Sequence, residues 1–173
     1  LYSMASPSRQ AAFAARIALQ RKDSNAEALY QSVMGTVTSD AGLMMDRARY
    51  LRDGGYGTAA RQLFARDRKL LYLPANPERF LEMHLLLADE AAQDGQWALA
   101  YNIARQGDDA LPPGVSVQDQ PLGIRDKYTS LMWLGGTAAW SGLNRPGDAM
   151  VMFDRYSRGG RWLQVLSQGL YWV

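Results

Sequence analysis

Three stretches of the chain share one grammar: "DGGYGTAARQLFAR" at 53–66, "DGQWALAYNIARQ" at 94–106 and "GLNRPGDAMVMFDRY" at 142–156. Each opens on turn-forming residues and continues with apolar residues at helical spacing. In the second, Trp97, Ala100, Tyr101 and Ala104 recur at i, i+3, i+4 and i+7. Aligned on Ala59, Ala100 and Ala149, the stretches place Leu63, Ala104 and Phe153 four residues later. Met44, Leu85 and Leu134 then lie fifteen residues earlier, on a preceding helix. The pattern predicts a helical hairpin in which a small alanine lets two axes approach closely. Tyr56, Trp97 and Pro146, three residues before the alanines, are expected to cover the hairpin end. A weaker pair aligns on Ala28.

A lone hairpin cannot bury both apolar faces, so consecutive hairpins must stack. The units fall 41 and 49 residues apart, against about 34 in regular tetratricopeptide repeats. Connectors at 71–77 and 107–123, both containing proline, account for the excess. Cap and breaker residues divide the rest of the chain. Ser6-Pro7 opens a helical pair reaching residue 34, broken at Asp23-Ser24-Asn25. Asp40 caps a helix through Arg52, Gly54-Gly55 ends it, and a second runs to about Arg66. Further helices are predicted at Glu78–Gln93, Ile124–Ser141, Pro146–Tyr156 and Trp162–Tyr171. No segment alternates as a strand would. The expected fold is all-α, an irregular tetratricopeptide-like superhelix forming a single domain over residues 1–173, with 1–39 as its weaker N-terminal pair.

Composition narrows the function. A formal charge of +2 with no run of Lys or Arg argues against nucleic acid. The arginines, such as Arg47, Arg49 and Arg52, are expected on solvated helix faces. The absence of cysteine excludes disulfides and thiol nucleophiles. No stretch reaches the roughly 18 apolar residues that span a bilayer, and Arg16 interrupts the best apolar run near the start, which is not a signal peptide as it stands.

Candidate catalytic groups are sparse. His84 is the only histidine, and on a largely apolar helix a packed, hydrogen-bonded role is expected. A metal site built on nitrogen or sulfur is therefore not predicted, nor is a His-containing triad. Asp89-Glu90 and Asp108-Asp109 could supply glycosidase-type carboxylates. However, Asp89 occupies the place of Ala48 and Ala138 in its sister units, so pairing with an arginine inside the superhelix is expected instead. Asp108-Asp109 is expected to be solvated or in a turn. Trp133 and Trp140 read as hairpin packing rather than glycan stacking, and Trp162 and Trp172 complete the C-terminal cluster. No catalytic, cofactor-binding or metal residue is assigned.

The segment "RDKYTSLMWLGGTAAWSGLNRPGDAMVMFDRYSRGGRWLQVLSQGLYWV" resembles the superhelical, non-catalytic region of soluble lytic murein transglycosylases of the Slt type. The matching positions are Trp133-Leu134-Gly135-Gly136, Leu143 and Pro146, Ala149 to Phe153, and Tyr171-Trp172. "RYLRDGGYGTAARQLFAR" and "DGQWALAYNIARQ" also resemble upstream repeats of these enzymes, so the likeness covers residues 40–173. It departs at Val173, where the family motif continues through Gly-Arg-Ala. The resemblance implies a periplasmic peptidoglycan lytic transglycosylase whose lysozyme-like domain, bearing the catalytic Glu, is absent from these residues. This chain would then bind the glycan strand weakly and position it without itself acting as an enzyme. The alternative is a helical-repeat adaptor that takes a peptide or protein in its groove. An incomplete solenoid leaves an apolar end exposed, which predicts self-association.

Overall fold

The computed structural model describes residues 6–160, 168, 169 and 171. Eight α-helices follow one another among these residues: α1 (Pro7–Arg21), α2 (Ala26–Val33), α3 (Ala41–Asp53), α4 (Gly57–Ala65), α5 (Pro77–Gln93), α6 (Trp97–Ala104), α7 (Leu122–Thr137) and α8 (Pro146–Gly159). The fold is all-α. Its one extended pairing among the described residues is an isolated bridge between Asp40 and Tyr72. Successive helices pack as hairpins, α1 with α2 through α7 with α8, and α1 also packs on α3 and α5 on α7. The helix expected at 162–171 lies mostly outside the described residues.

Local chemistry explains the boundaries. Pro7, Pro77 and Pro146 each occupy a first turn, where the missing N–H leaves no bond unmade. Asp40 accepts a hydrogen bond from the Leu43 N–H at 3.0 Å, and Asn76 accepts one from Arg79 at 3.0 Å. The expected end of α7 at Ser141 is replaced by a π-helical turn over Ala138–Gly142.

The hairpin turns fix the repeat. Each contains one residue with positive φ: Lys22 at 58°, Gly55 at 83°, Gly95 at 70° and Asn144 at 53°. Five residues beyond the last three lie Ala60, Ala100 and Ala149, all at most 1% exposed. Leu63, Ile103 and Met152 follow three residues later and are also buried. The first unit therefore aligns on Ala60, and Ala59 is only half-buried. Gly54-Gly55 offers two glycines for one left-handed position, and Gly55 takes it. In the first hairpin the inward alanine is Ala26, whereas Ala28 is exposed. Tyr56 is 66% exposed and does not cover its hairpin end.

The same shift moves Asp89. Ala88, fully buried, takes the place of Ala48, and Asp89 faces solvent, accepting a bond from Gln93 at 2.6 Å. It does not pair with an arginine inside the fold. Glu90 takes that role, held by Arg52 at 2.6 Å.

Nor do the arginines simply coat the surface. Arg16 Nε meets Asp46 at 2.7 Å, joining α1 to α3. Arg47 is 9% exposed and pairs with Glu27 on α2, its guanidinium 4.0 Å from the Tyr30 ring centroid. Arg61 reaches Asp94 in the next hairpin turn at 2.5 Å. Long stems bury against neighbouring helices while planar heads meet carboxylates, a geometry that lysine does not reproduce. Of the three arginines expected on a solvated face, only Arg49 is largely exposed.

The connector after α4 carries the most buried of these contacts. The Arg68 side chain has no exposed surface. It donates from Nε to Asp109 at 2.8 Å, from Nη1 to the Phe64 carbonyl at 2.9 Å and from Nη2 to the Gln106 carbonyl at 3.3 Å. Nη2 also meets His84 Nε2. His84 Nδ1 lies 2.8 Å from the Phe80 carbonyl, so the ring donates there and accepts from Arg68 as a neutral imidazole. Phe64 and Phe80 pack edge-on against it, with centroids at 4.8 and 4.5 Å.

Burial, and then the neighbouring Arg68 charge, hold the His84 pKa well below its ordinary 6.5. Below pH 6.5 the unfolded chain therefore binds a proton that the folded chain refuses. This contribution to stability is present above that pH and is lost on acidification, at about 1.4 kcal/mol per pH unit. Denaturant titrations across this range should show the slope, and His84→Gln, which keeps an acceptor for Arg68, should flatten it; an equal slope in the variant would exclude His84 as the source. Asp109→Ala strands a buried guanidinium and should cost about 3 kcal/mol at neutral pH in the same titration.

Candidate functional site

Helices α5 and α7 lie side by side, and each turns one polar stripe to solvent. On α7, Asp126, Ser130, Trp133 and Thr137 are all exposed at helical spacing. Inward-facing Leu131, Met132, Gly135 and Gly136 occupy the opposite side. A β-carbon on Gly136 would fall 2.6 Å from the Phe153 ring, and one on Gly135 would fall 2.5 Å from Met152. The Gly-Gly pair thus lets α8 approach α7 closely. This contact seats the first aromatic of the site. Trp133 packs against Phe153 and Tyr156 of α8, both at 5.2 Å between centroids, and keeps 36% of its surface exposed.

Between the two helices opens a groove of about 750 Å³. Asp89 and Ala92 line it from α5, and Asp126, Thr129 and Trp133 from α7. Trp97, the first residue of α6, adds a second indole, and Tyr156 adds a phenol from α8. The Tyr156 hydroxyl donates to Gln168 Oε1 at 3.1 Å, and burial raises its pKa, so it remains a neutral donor. Trp97 is set by the π-turn that ends α7. That turn brings Gly142 against the indole, where an added β-carbon would lie 2.3 Å from Cγ. Such turns commonly mark functional positions in helices.

Chemically, the groove offers two exposed carboxylates, several hydroxyls and two half-exposed indoles. Carboxylates and hydroxyls accept and donate hydrogen bonds around a rim, and indole faces take C–H-bearing apolar surface. That combination suits a neutral polyhydroxylated ligand. Among the described residues no group of three His, Asp or Glu side chains could hold a metal ion.

The structure brings few of the sequence candidates together here. Asp89 and Trp133 share the groove. His84 is buried in the core as expected, with two ring contacts rather than one. Asp108 and Asp109 are more than a solvated turn. Asp108 accepts from the Tyr128 hydroxyl at 2.6 Å and lies 3.4 Å from Arg155, while Asp109 binds Arg68. Trp140 sits on the π-turn, 48% exposed, and Trp162 and Trp172 lie outside the described residues. Asp126, Trp97 and Tyr156 were not singled out as binding residues by sequence. The signal that could have found Asp126 is the helical spacing of Asp126, Ser130, Trp133 and Thr137.

Comparison with protein-family models, curated proteins and solved structures found no match to this chain.

The positioning of Trp97 by Gly142 is directly testable. Gly142→Val should displace the indole and shift tryptophan emission to longer wavelength, with the far-ultraviolet spectrum little changed. The shift should vanish in a Trp97→Phe background. An unaltered emission maximum would show that Gly142 does not pin this side chain.

Proposed function

We propose that this chain is the non-catalytic helical domain of a periplasmic peptidoglycan lytic transglycosylase, positioning a glycan strand beside a separate catalytic domain. The observation that carries this reading is the groove between α5 and α7, with Trp97 and Trp133 half-exposed beside Asp89 and Asp126. Pyranose rings present axial C–H faces and equatorial hydroxyls, which match indole faces and carboxylate rims respectively. The order of the Slt-like motifs along residues 40–173 supports the same reading. Holding a polymer in register raises the effective concentration of its scissile bond without any bond chemistry by the holder.

A second reading, an adaptor for a protein or peptide, draws on a different feature. The connectors at 67–76 and 107–121 enclose a cleft of about 640 Å³ with Leu71 and Val115 exposed in its lining. Such apolar surface suits a protein partner more than a sugar.

Purified sacculi separate the two. The chain should sediment with them and release no anhydro-sugar, and Trp133→Ala should weaken binding of a chito-oligosaccharide about tenfold, or about 1.4 kcal/mol. Absence of binding, or equal affinity in the variant, would move the adaptor reading ahead. Release of anhydro-sugar by this chain alone would overturn its assignment as non-catalytic.

A further inference from the structure

The exposed stripe of α5 extends beyond the groove. Arg79, Glu82, Leu86, Asp89 and Gln93 all face solvent at helical spacing, so they form one continuous line. Asp89 belongs to the groove. Toward the N-terminal end of the helix, Arg79, Glu82 and Leu86 line a separate pocket of about 360 Å³ between α5 and α3. Met45 and Arg49 complete it from α3, and Met83 supplies its buried floor.

Its arginines make no close ion pair among the described residues. Arg49 comes no closer than 3.9 Å to Asp46, whose other oxygen already accepts from Arg16 and Gln20. Arg79 forms no ion pair among the described residues. Most other arginines here reach a carboxylate on a neighbouring element. The pocket therefore presents two guanidinium groups, one carboxylate and a floor of thioether and isobutyl groups.

We propose that this pocket binds the carboxylate end of a short peptide whose last side chain is small and apolar. The two arginines take the carboxylate, Glu82 accepts the adjoining amide N–H, and Met45, Met83 and Leu86 pack against the side chain. A sugar acid would match the arginines but leave the apolar floor unused. A bare anion would bring neither an amide N–H for Glu82 nor apolar surface for the floor. Because the pocket and the groove share one line of α5, a strand with peptide branches would engage both; this second step, and only this one, rests on the glycan reading above.

The test uses the whole chain carrying ¹³C-methyl methionine. Titration with acetyl-Ala-Ala should move the Met45 and Met83 methyl signals saturably. The C-terminal amide of the same peptide should bind roughly tenfold more weakly. Arg49→Gln with Arg79→Gln should produce a similar loss. Since both residues are exposed and neither makes a close ion pair among the described residues, the far-ultraviolet spectrum and unfolding midpoint should be little changed. The acid-against-amide comparison stands without any variant. Equal binding of acid and amide, or no movement of these methyls, overturns the proposal, and so does glucuronate binding as well as the peptide. A chito-oligosaccharide arm, read on the indole signals of Trp97 and Trp133, keeps the two readings apart. Peptide binding without oligosaccharide binding sustains the pocket and removes the glycan strand; the reverse sustains the groove and removes the pocket.

Discussion

The Arg68 guanidinium is the point through which the middle of the fold is tied together. It leaves the connector after α4, enters the protein completely, and meets groups from α4, from α5 and from the short turn after α6. A buried cation is tolerable only when every direction is answered, and here a carboxylate, two carbonyls and an imidazole answer it. Each partner is constrained in turn. His84 must stay neutral to accept, so it must give its own proton to the Phe80 carbonyl. Asp109 must face inward, which orients the Gly107–Ala110 turn and brings Asp108 onto Tyr128 and Arg155. One side chain thereby sets the relation among three hairpins.

Elsewhere the same device is used with less burial. Hairpins that present mostly alanine and leucine to one another have little shape to distinguish one register from the next. Arginine-to-carboxylate contacts between successive hairpins add direction, because a planar fork bonds well at few positions. Surface ion pairs contribute little to stability. Their value here lies in selecting one stacking geometry.

Much of this was legible in the sequence, and the failures share a cause. Turn chemistry and apolar spacing placed all eight helices among the described residues, because both are local properties. The repeat register failed by one residue in the first unit, since Gly54 and Gly55 are equally able to adopt positive φ. That step removes the match of Asp89 with Ala48, and the extra residue of the π-turn at Ala138–Gly142 removes its match with Ala138, so Asp89 lies at the surface and Glu90 meets the arginine. The buried arginines were missed for a different reason. Arg16 and Asp46, or Arg68 and Asp109, are partners across hairpins, and no local pattern announces which arginine has a carboxylate waiting. Trp97 was read as a hairpin cover because its spacing matched Tyr56 and Pro146. Neither its exposure nor the glycine behind it is visible without the π-turn.

That turn also explains why the groove can exist. An uninterrupted α7 would rotate each successive residue by the same step and present Gly142 in a different direction. The extra residue of a π-turn resets the phase, so the inward face before it holds Gly135 and Gly136, while Gly142 beyond it lies against Trp97. The two indoles of the groove thus depend on separate glycine contacts at opposite sides of one phase change. Trp133 depends on the close approach of α8, and Trp97 on the space at Gly142. Both could have been buried at a gain in apolar burial. The fold packs alanine and glycine inward and leaves these two indoles about one-third exposed beside two carboxylates, so the groove combines apolar faces with a polar rim.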